Sequence, residues 1–191
     1  MPDHTALADA VQVVLLDGLD RALDAGINFI DTANFYSRGR SETITGEALV
    51  RNGKRERVVL ATKFHGAMSD DDPNDRRASR RHIIAACEAS LRRLQTDYID
   101  LYQIHRPRPD TAIDETLRAL DDLIRAGKVR YLGNSNYSGW QIAHADWTAR
   151  TEHLNRFASA QNLWSLLDRR VEQEVIPACA EFGLGMLPYF P

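Results

Sequence analysis

The chain has 191 residues, 43% of them hydrophobic and 27% charged, an ordinary globular composition with enough length to bury one sizeable core. Its net charge is −3 with acidic and basic residues interspersed, so it lacks the electrostatic footprint that nucleic acid or an anionic membrane surface requires. No apolar run approaches a membrane span, and Met1-Pro2-Asp3-His4 lacks the basic flank and apolar run of a signal peptide; the expectation is one domain over 1–191, soluble and cytoplasmic.

Short β-branched runs alternate with stretches of helical periodicity along the chain. The first strand is predicted at Asn28 to Thr32, after Gly26, a glycine placed to close a helix in the left-handed conformation. A second strand, Arg57 to Phe64, precedes the Asp-rich stretch Met68 to Arg81, with Pro73 and Asn74, which reads as an exposed loop without chemistry. Ile83, Ile84, Cys87, Leu91 and Leu94 then recur at helical spacing and form one apolar face. After the strand Tyr98 to Ile104, Pro109-Asp110-Thr111 offers N-cap chemistry to a helix carrying Ile113, Leu117, Leu120, Leu123 and Ile124. Gly127 leads into the strand Val129 to Asn134, Tyr137-Ser138 starts the next helix, and Phe157 to Gln161 is the fifth strand. Pro177 either kinks the last helical pattern or marks its first turn, and Gly183 closes that helix before the sixth strand, Leu184 to Tyr189. Cys87 and Cys179 lie far apart within helical patterns, as reduced packing thiols do and as a disulfide framework or zinc site does not. The alternation is the signature of a parallel sheet with helices covering its outside, an α/β fold of the (β/α) barrel kind.

In a parallel barrel the active site is built where the strands end, and here those ends are polar: Asp31-Thr32, Lys63, His105, Asn134-Ser135-Asn136, Gln161-Asn162 and Tyr189. Each alone has a structural explanation: Asp31 as a cap, Lys63 as a snorkelling chain, His105 as a hydrogen-bonded core histidine, Tyr189 as packing. Jointly they mark one functional face. Neither His-x-His nor Cys-x-x-Cys occurs to suggest a metal, no Gly-x-Gly-x-x-Gly loop serves a Rossmann site, and no Gly-x-Ser-x-Gly elbow serves a serine hydrolase.

Gly26-Ile27-Asn28-Phe29-Ile30-Asp31-Thr32-Ala33 followed by Tyr36 resembles the signature of the aldo-keto reductase family, as do Ser41-Glu42 and Gly46. Ala61-Thr62-Lys63, Asp97 to His105, Gly133-Asn134-Ser135-Asn136, Gln161-Asn162 and Leu187-Pro188-Tyr189 continue it in the family's order over nearly the whole chain. The resemblance implies a TIM-type barrel of eight strands, of which this chain holds about six; the first and last, with the cofactor-clamping loops after the last, are expected to be missing. Two departures, Ser37 where glycine commonly follows the tyrosine and Trp164 where tyrosine is usual, are expected to alter pocket shape more than chemistry.

What the resemblance implies for activity is reduction of a small-molecule aldehyde or ketone by a nicotinamide cofactor, NADP(H) by family preference with NAD(H) also open. The family roles make Tyr36 the general acid, Lys63 the cation beside it, Asp31 the partner of Lys63, and His105 the group that orients the carbonyl. A free tyrosine, with a pKa near 10, is a reluctant proton donor, and an adjacent cation helps by stabilising the phenolate. Ser135, Asn136 and Gln161 offer short polar groups for a carboxamide and Tyr189 a flat face for the nicotinamide ring; Asn136 also suits a simple turn. Arg38 and Arg40 either touch substrate or are solvated loop charges. Two other functions stay open: a cofactor-binding regulatory subunit like the potassium-channel β-subunits, and an inactive fragment of a reductase. Six strands cannot close an eight-strand ring, so open edges at the Asp31 and Tyr189 strands, and self-association through them, are expected.

Overall fold

The fold was read from a computed structural model that describes residues 15–66, 68, 72 and 78–191. A helix over residues 15–24 (α1) leads into β1 (Phe29–Asp31). Then come α2 (Arg40–Asn52), β2 (Val59–Phe64), α3 (Arg80–Leu94), β3 (Ile99–Ile104), α4 (Ile113–Arg125), β4 (Val129–Ser135), α5 (Gly139–Thr151), β5 (Phe157–Leu163), α6 (Val175–Phe182) and β6 (Gly185–Tyr189). The six strands form one parallel sheet in sequence order, curled as part of a (β/α) barrel. Each of the six strands expected from the sequence is present, trimmed or extended by one or two residues at its ends.

The helices seal the convex face because each carries an apolar stripe. On α4, Leu117 and Leu120 are fully buried and Leu123 nearly so, with Ile113 and Ile124 packed at the margin. On α3, Ile83, Cys87, Leu91 and Leu94 do the same against Leu60, Phe64 and Tyr102 of the sheet. Each such aliphatic side chain contributes roughly 1.5–3 kcal/mol on burial. Both cysteines are free and buried, and burial pushes the Cys87 thiol up to about 12, which makes it inert packing.

Gly26, Gly127 and Gly183 all take positive φ, at 89°, 73° and 73°, each at the end of a helix. Ser138 caps α5, its N–H accepted by Gln141 Oε1 at 3.0 Å. Pro177 sits in the first turn of α6, where its missing N–H costs no helical hydrogen bond, so the helix needs no kink. Two expectations are corrected. The N-cap of α4 is Ala112, not the Pro109-Asp110-Thr111 stretch, because Asp110 is engaged by Arg108 one turn earlier. The loop expected over Met68 to Arg81 lies largely outside the described residues, and its end is already helical: Ser79 Oγ accepts from the His82 N–H and α3 starts at Arg80.

Candidate active site

Strand register decides which polar residues meet. Asp31 is level with Ala61, two residues before Lys63, and Lys63 is level with Gln103. Side chains alternate along a strand, so Asp31, Lys63 and Gln103 all face the concave side of the sheet. Lys63 is fully buried there, and a buried ammonium must be paired and hydrogen-bonded. It donates to an Asp31 carboxylate oxygen, to the Thr32 carbonyl at 2.9 Å and to the Tyr36 hydroxyl oxygen at 3.5 Å. The other Asp31 oxygen accepts from Gln103 Nε2 at 3.0 Å. Gly133 makes room for this row: a Cβ there would lie 2.9 Å from Gln103 Cγ and 2.7 Å from Ser159 Oγ.

Tyr36 leaves the end of β1 on a tight turn in which Ser37 and Arg38 take left-handed backbone, φ 47° and 51°, and Gly39 takes φ 92°. Its ring meets that of His105 edge to face, 5.7 Å between centroids at 80°. His105 is anchored at the end of β3 by its N–H to the Phe64 carbonyl at 3.0 Å. Burial, helped by the positive charges of Lys63 and Arg106 and by the neighbouring His65 imidazole, holds the His105 imidazole down at about 4, so it is neutral near pH 7.

The ends of β4 to β6 close the other side. Asn136, with φ 61°, donates through Nδ2 to the His105 carbonyl and to Ser135 Oγ, both at 3.0 Å. Its Oδ1 accepts from the Tyr189 hydroxyl at 2.7 Å, and Ser135 Oγ donates to the Gln161 carbonyl at 2.9 Å. Gln161 is nearly buried, and its side-chain amide has no partner among the described residues. Asp31, Tyr36, His105, Ser135, Asn136, Gln161 and Tyr189 thus border one cavity of about 530 Å³. The donor set suits a flat aromatic carboxamide: the Gln161 amide is unengaged among the described residues, Ser135 Oγ and Asn136 Oδ1 each retain an acceptor lone pair, and the Tyr189 ring offers a face. Asn136 is at once a left-handed turn residue and a hydrogen-bonding hub, so the two readings of it are compatible.

Residues 5–191 match the Aldo/keto reductase family. The chain belongs to that family. It is 42% identical over 185 residues to an uncharacterized oxidoreductase, YrpG, of Bacillus subtilis, with 91% of this chain and 56% of the relative covered. It is 37% identical to the versiconal hemiacetal acetate reductase of Aspergillus parasiticus, over 91% of this chain and 55% of that protein. It is 36% identical to the norsolorinic acid reductase stcV of Emericella nidulans, over 96% of this chain and 49% of that protein. The chain therefore spans about half the length of these relatives.

The departures from the aldo-keto reductase pattern have definite places. Ser37 occupies a left-handed position that glycine adopts without strain, and it lines a second cavity next to Tyr36. Trp164 borders neither cavity around Tyr36; its indole N–H is accepted by Glu172 at 2.9 Å, which ties down the loop after β5. Gln103 is the site residue that sequence reasoning passed over. Its signal was available, since an uncharged amide inside an apolar strand two residues before His105 must find a partner, but only the register names that partner as Asp31. Arg38 and Arg40 border neither cavity. Among the described residues, no helix is long and apolar enough to cross a membrane.

Proposed function

We propose that this chain carries the catalytic residues of an NADP(H)-dependent reductase that converts aldehydes or ketones to alcohols, with Tyr36 as the general acid. The observation that supports it most is the contact of the buried Lys63 ammonium with the Tyr36 hydroxyl, in a cavity that Tyr36 shares with His105 and with the carboxamide-binding set Ser135, Asn136, Gln161 and Tyr189. A nicotinamide held by that set supplies the hydride that reduces the carbonyl carbon.

The remaining work falls to side chains of the protein. Lys63 donates to the Tyr36 oxygen, so the hydroxyl's own proton is left to point into the cavity. As the carbonyl π pair moves onto oxygen, Tyr36 transfers that proton to it, and Lys63 stabilises the phenolate left behind. Asp31, fixed by Gln103, pairs with the ammonium and keeps it aimed. His105, neutral near pH 7, is the weaker candidate for the acid; as an N–H donor it orients the carbonyl oxygen. NADP(H) over NAD(H) follows family preference. The named fungal reductases point to carbonyl substrates, and the two buried free thiols suit the reducing cytoplasm.

The test is NADPH oxidation with a generic aromatic aldehyde. Tyr36→Phe should lower kcat by about 10²-fold or more while cofactor affinity, followed by fluorescence titration, is nearly unchanged. Undiminished turnover would exclude Tyr36 as the acid, and cofactor binding without turnover in the wild type would favour a regulatory subunit.

A further inference from the structure

The cavity assigned above to the cofactor meets a second one, of about 560 Å³, and three residues border both: Tyr36, His105 and Arg106. The second cavity extends away from Gln161 and Tyr189, over the turn after β1 and the end of β2, where Phe35 and His65 wall it. A substrate whose carbonyl oxygen lies between Tyr36 and His105 has this space for the rest of its body.

Arg106 is the only charged side chain among the described residues that line the second cavity. It makes no hydrogen bond or ion pair with any described residue, whereas Arg108 nearby is taken by Asp110 at 2.5 Å. In the first cavity the other charge, Asp31, is already held by Lys63 and Gln103. Among the described residues, the walls therefore present one exposed guanidinium without a countercharge, beside the two groups that bracket the reacting oxygen. His65 and His105 add no second positive charge, since burial and the surrounding cations keep both neutral.

We propose that Arg106 selects carbonyl compounds bearing a carboxylate, which it binds in the second cavity while the carbonyl lies at Tyr36 and His105. The planar guanidinium fork matches a carboxylate. One cation with no partner among the described residues balances a monoanion better than a phosphate ester with nearly two charges. This rests on the reductase reading for the position of the carbonyl, but the anion site itself does not need turnover to be seen.

The experiment compares 4-carboxybenzaldehyde with 4-methylbenzaldehyde, alike in shape and different in charge, by titration calorimetry against the purified protein. The carboxylate compound should bind about 10-fold more tightly, as a partly exposed charge-assisted pair allows. Arg106→Gln should abolish the difference without weakening the methyl compound, Arg106→Lys should keep part of it, and high salt should shrink it. Equal affinities in the wild type, or a preference that survives Arg106→Gln, would overturn the proposal. NADPH-dependent reduction of both compounds is measured alongside. A charge preference that depends on Arg106, with no reduction of either compound, would refute the reductase reading and leave the anion site standing; reduction of both without preference would do the reverse.

Discussion

The Lys63 ammonium has three protons and three acceptors, the Asp31 carboxylate, the Thr32 carbonyl and the Tyr36 oxygen, which is why a lysine can be fully buried in this sheet. His105 solves the same burial problem by losing its charge. The unfolded chain binds the imidazole proton near the ordinary 6.5, the folded protein only near 4. Between those values the unfolded state holds more protons, so this group's effect is absent above pH 6.5 and destabilises the fold progressively as pH falls to 4. His65, held at about 4 by burial first and then by Arg108 and Arg106, acts in the same window and the same direction. Urea midpoints measured from pH 7 to pH 4 should therefore decline, and His105→Gln should flatten part of that decline relative to wild type. An identical pH profile in the variant would show that the histidine is charged in the folded protein.

At the scale of elements, α2 is strapped to the strand ends beside the site. Ser41 Oγ bonds Thr32 Oγ1 at 2.8 Å, and the fully buried Glu42 accepts from Thr62 Oγ1 at 2.6 Å while pairing with Arg93 of α3 at 2.7 Å. Thr62 precedes Lys63 and Thr32 follows Asp31, so this packing sets the spacing of the two strands that carry the ion pair. The close approach of α2 to α3 depends on Gly46, where a Cβ would lie 2.5 Å from the Arg93 carbonyl oxygen and 2.6 Å from the Leu94 carbonyl carbon. Those are backbone atoms and cannot swing away. Gly46→Ala should destabilise the protein by about 1–3 kcal/mol, as overpacking does. Gly18, within α1, has nothing among the described residues within 4 Å of its would-be Cβ, and Gly18→Ala should stabilise by about 0.5–1 kcal/mol through helix propensity. Thermal unfolding of the two variants should move in opposite directions; a shared sign would mean that α2 and α3 are not packed this closely.

For the whole molecule the sheet's ends matter most. β1 pairs with β2 and β6 with β5, and among the described residues their outer edges meet no strand. Phe29 on β1 is 38% exposed, an apolar side chain next to unpaired backbone groups, and such edges recruit other chains. The 191-residue chain purified alone should sediment above its 21.6 kDa mass in a concentration-dependent manner. A monomer at every concentration would show that these edges are covered.

Periodicity and punctuation were enough to read six parallel strands, the helices between them and the glycine caps at 26, 127 and 183, because those features depend on residues close in sequence. The strand-end argument likewise picked out Asp31, Lys63, His105, Asn136, Gln161 and Tyr189, since polar residues closing apolar runs are visible one strand at a time, and the family pattern added Tyr36 in the following turn. The N-cap of α4 was misread because Asp110, a good cap by type, is drawn to Arg108 by the path of the loop. Gln103 and Arg106 stood beside recognised residues and went unassigned. Only interstrand register turns Gln103 toward Asp31, and only the joining of two cavities puts Arg106 at their shared border with no counterion among the described residues. Local periodicity states which residues are buried or polar; partners across strands and uncompensated charge are properties of distances between remote segments, which exist only once the sheet has curled.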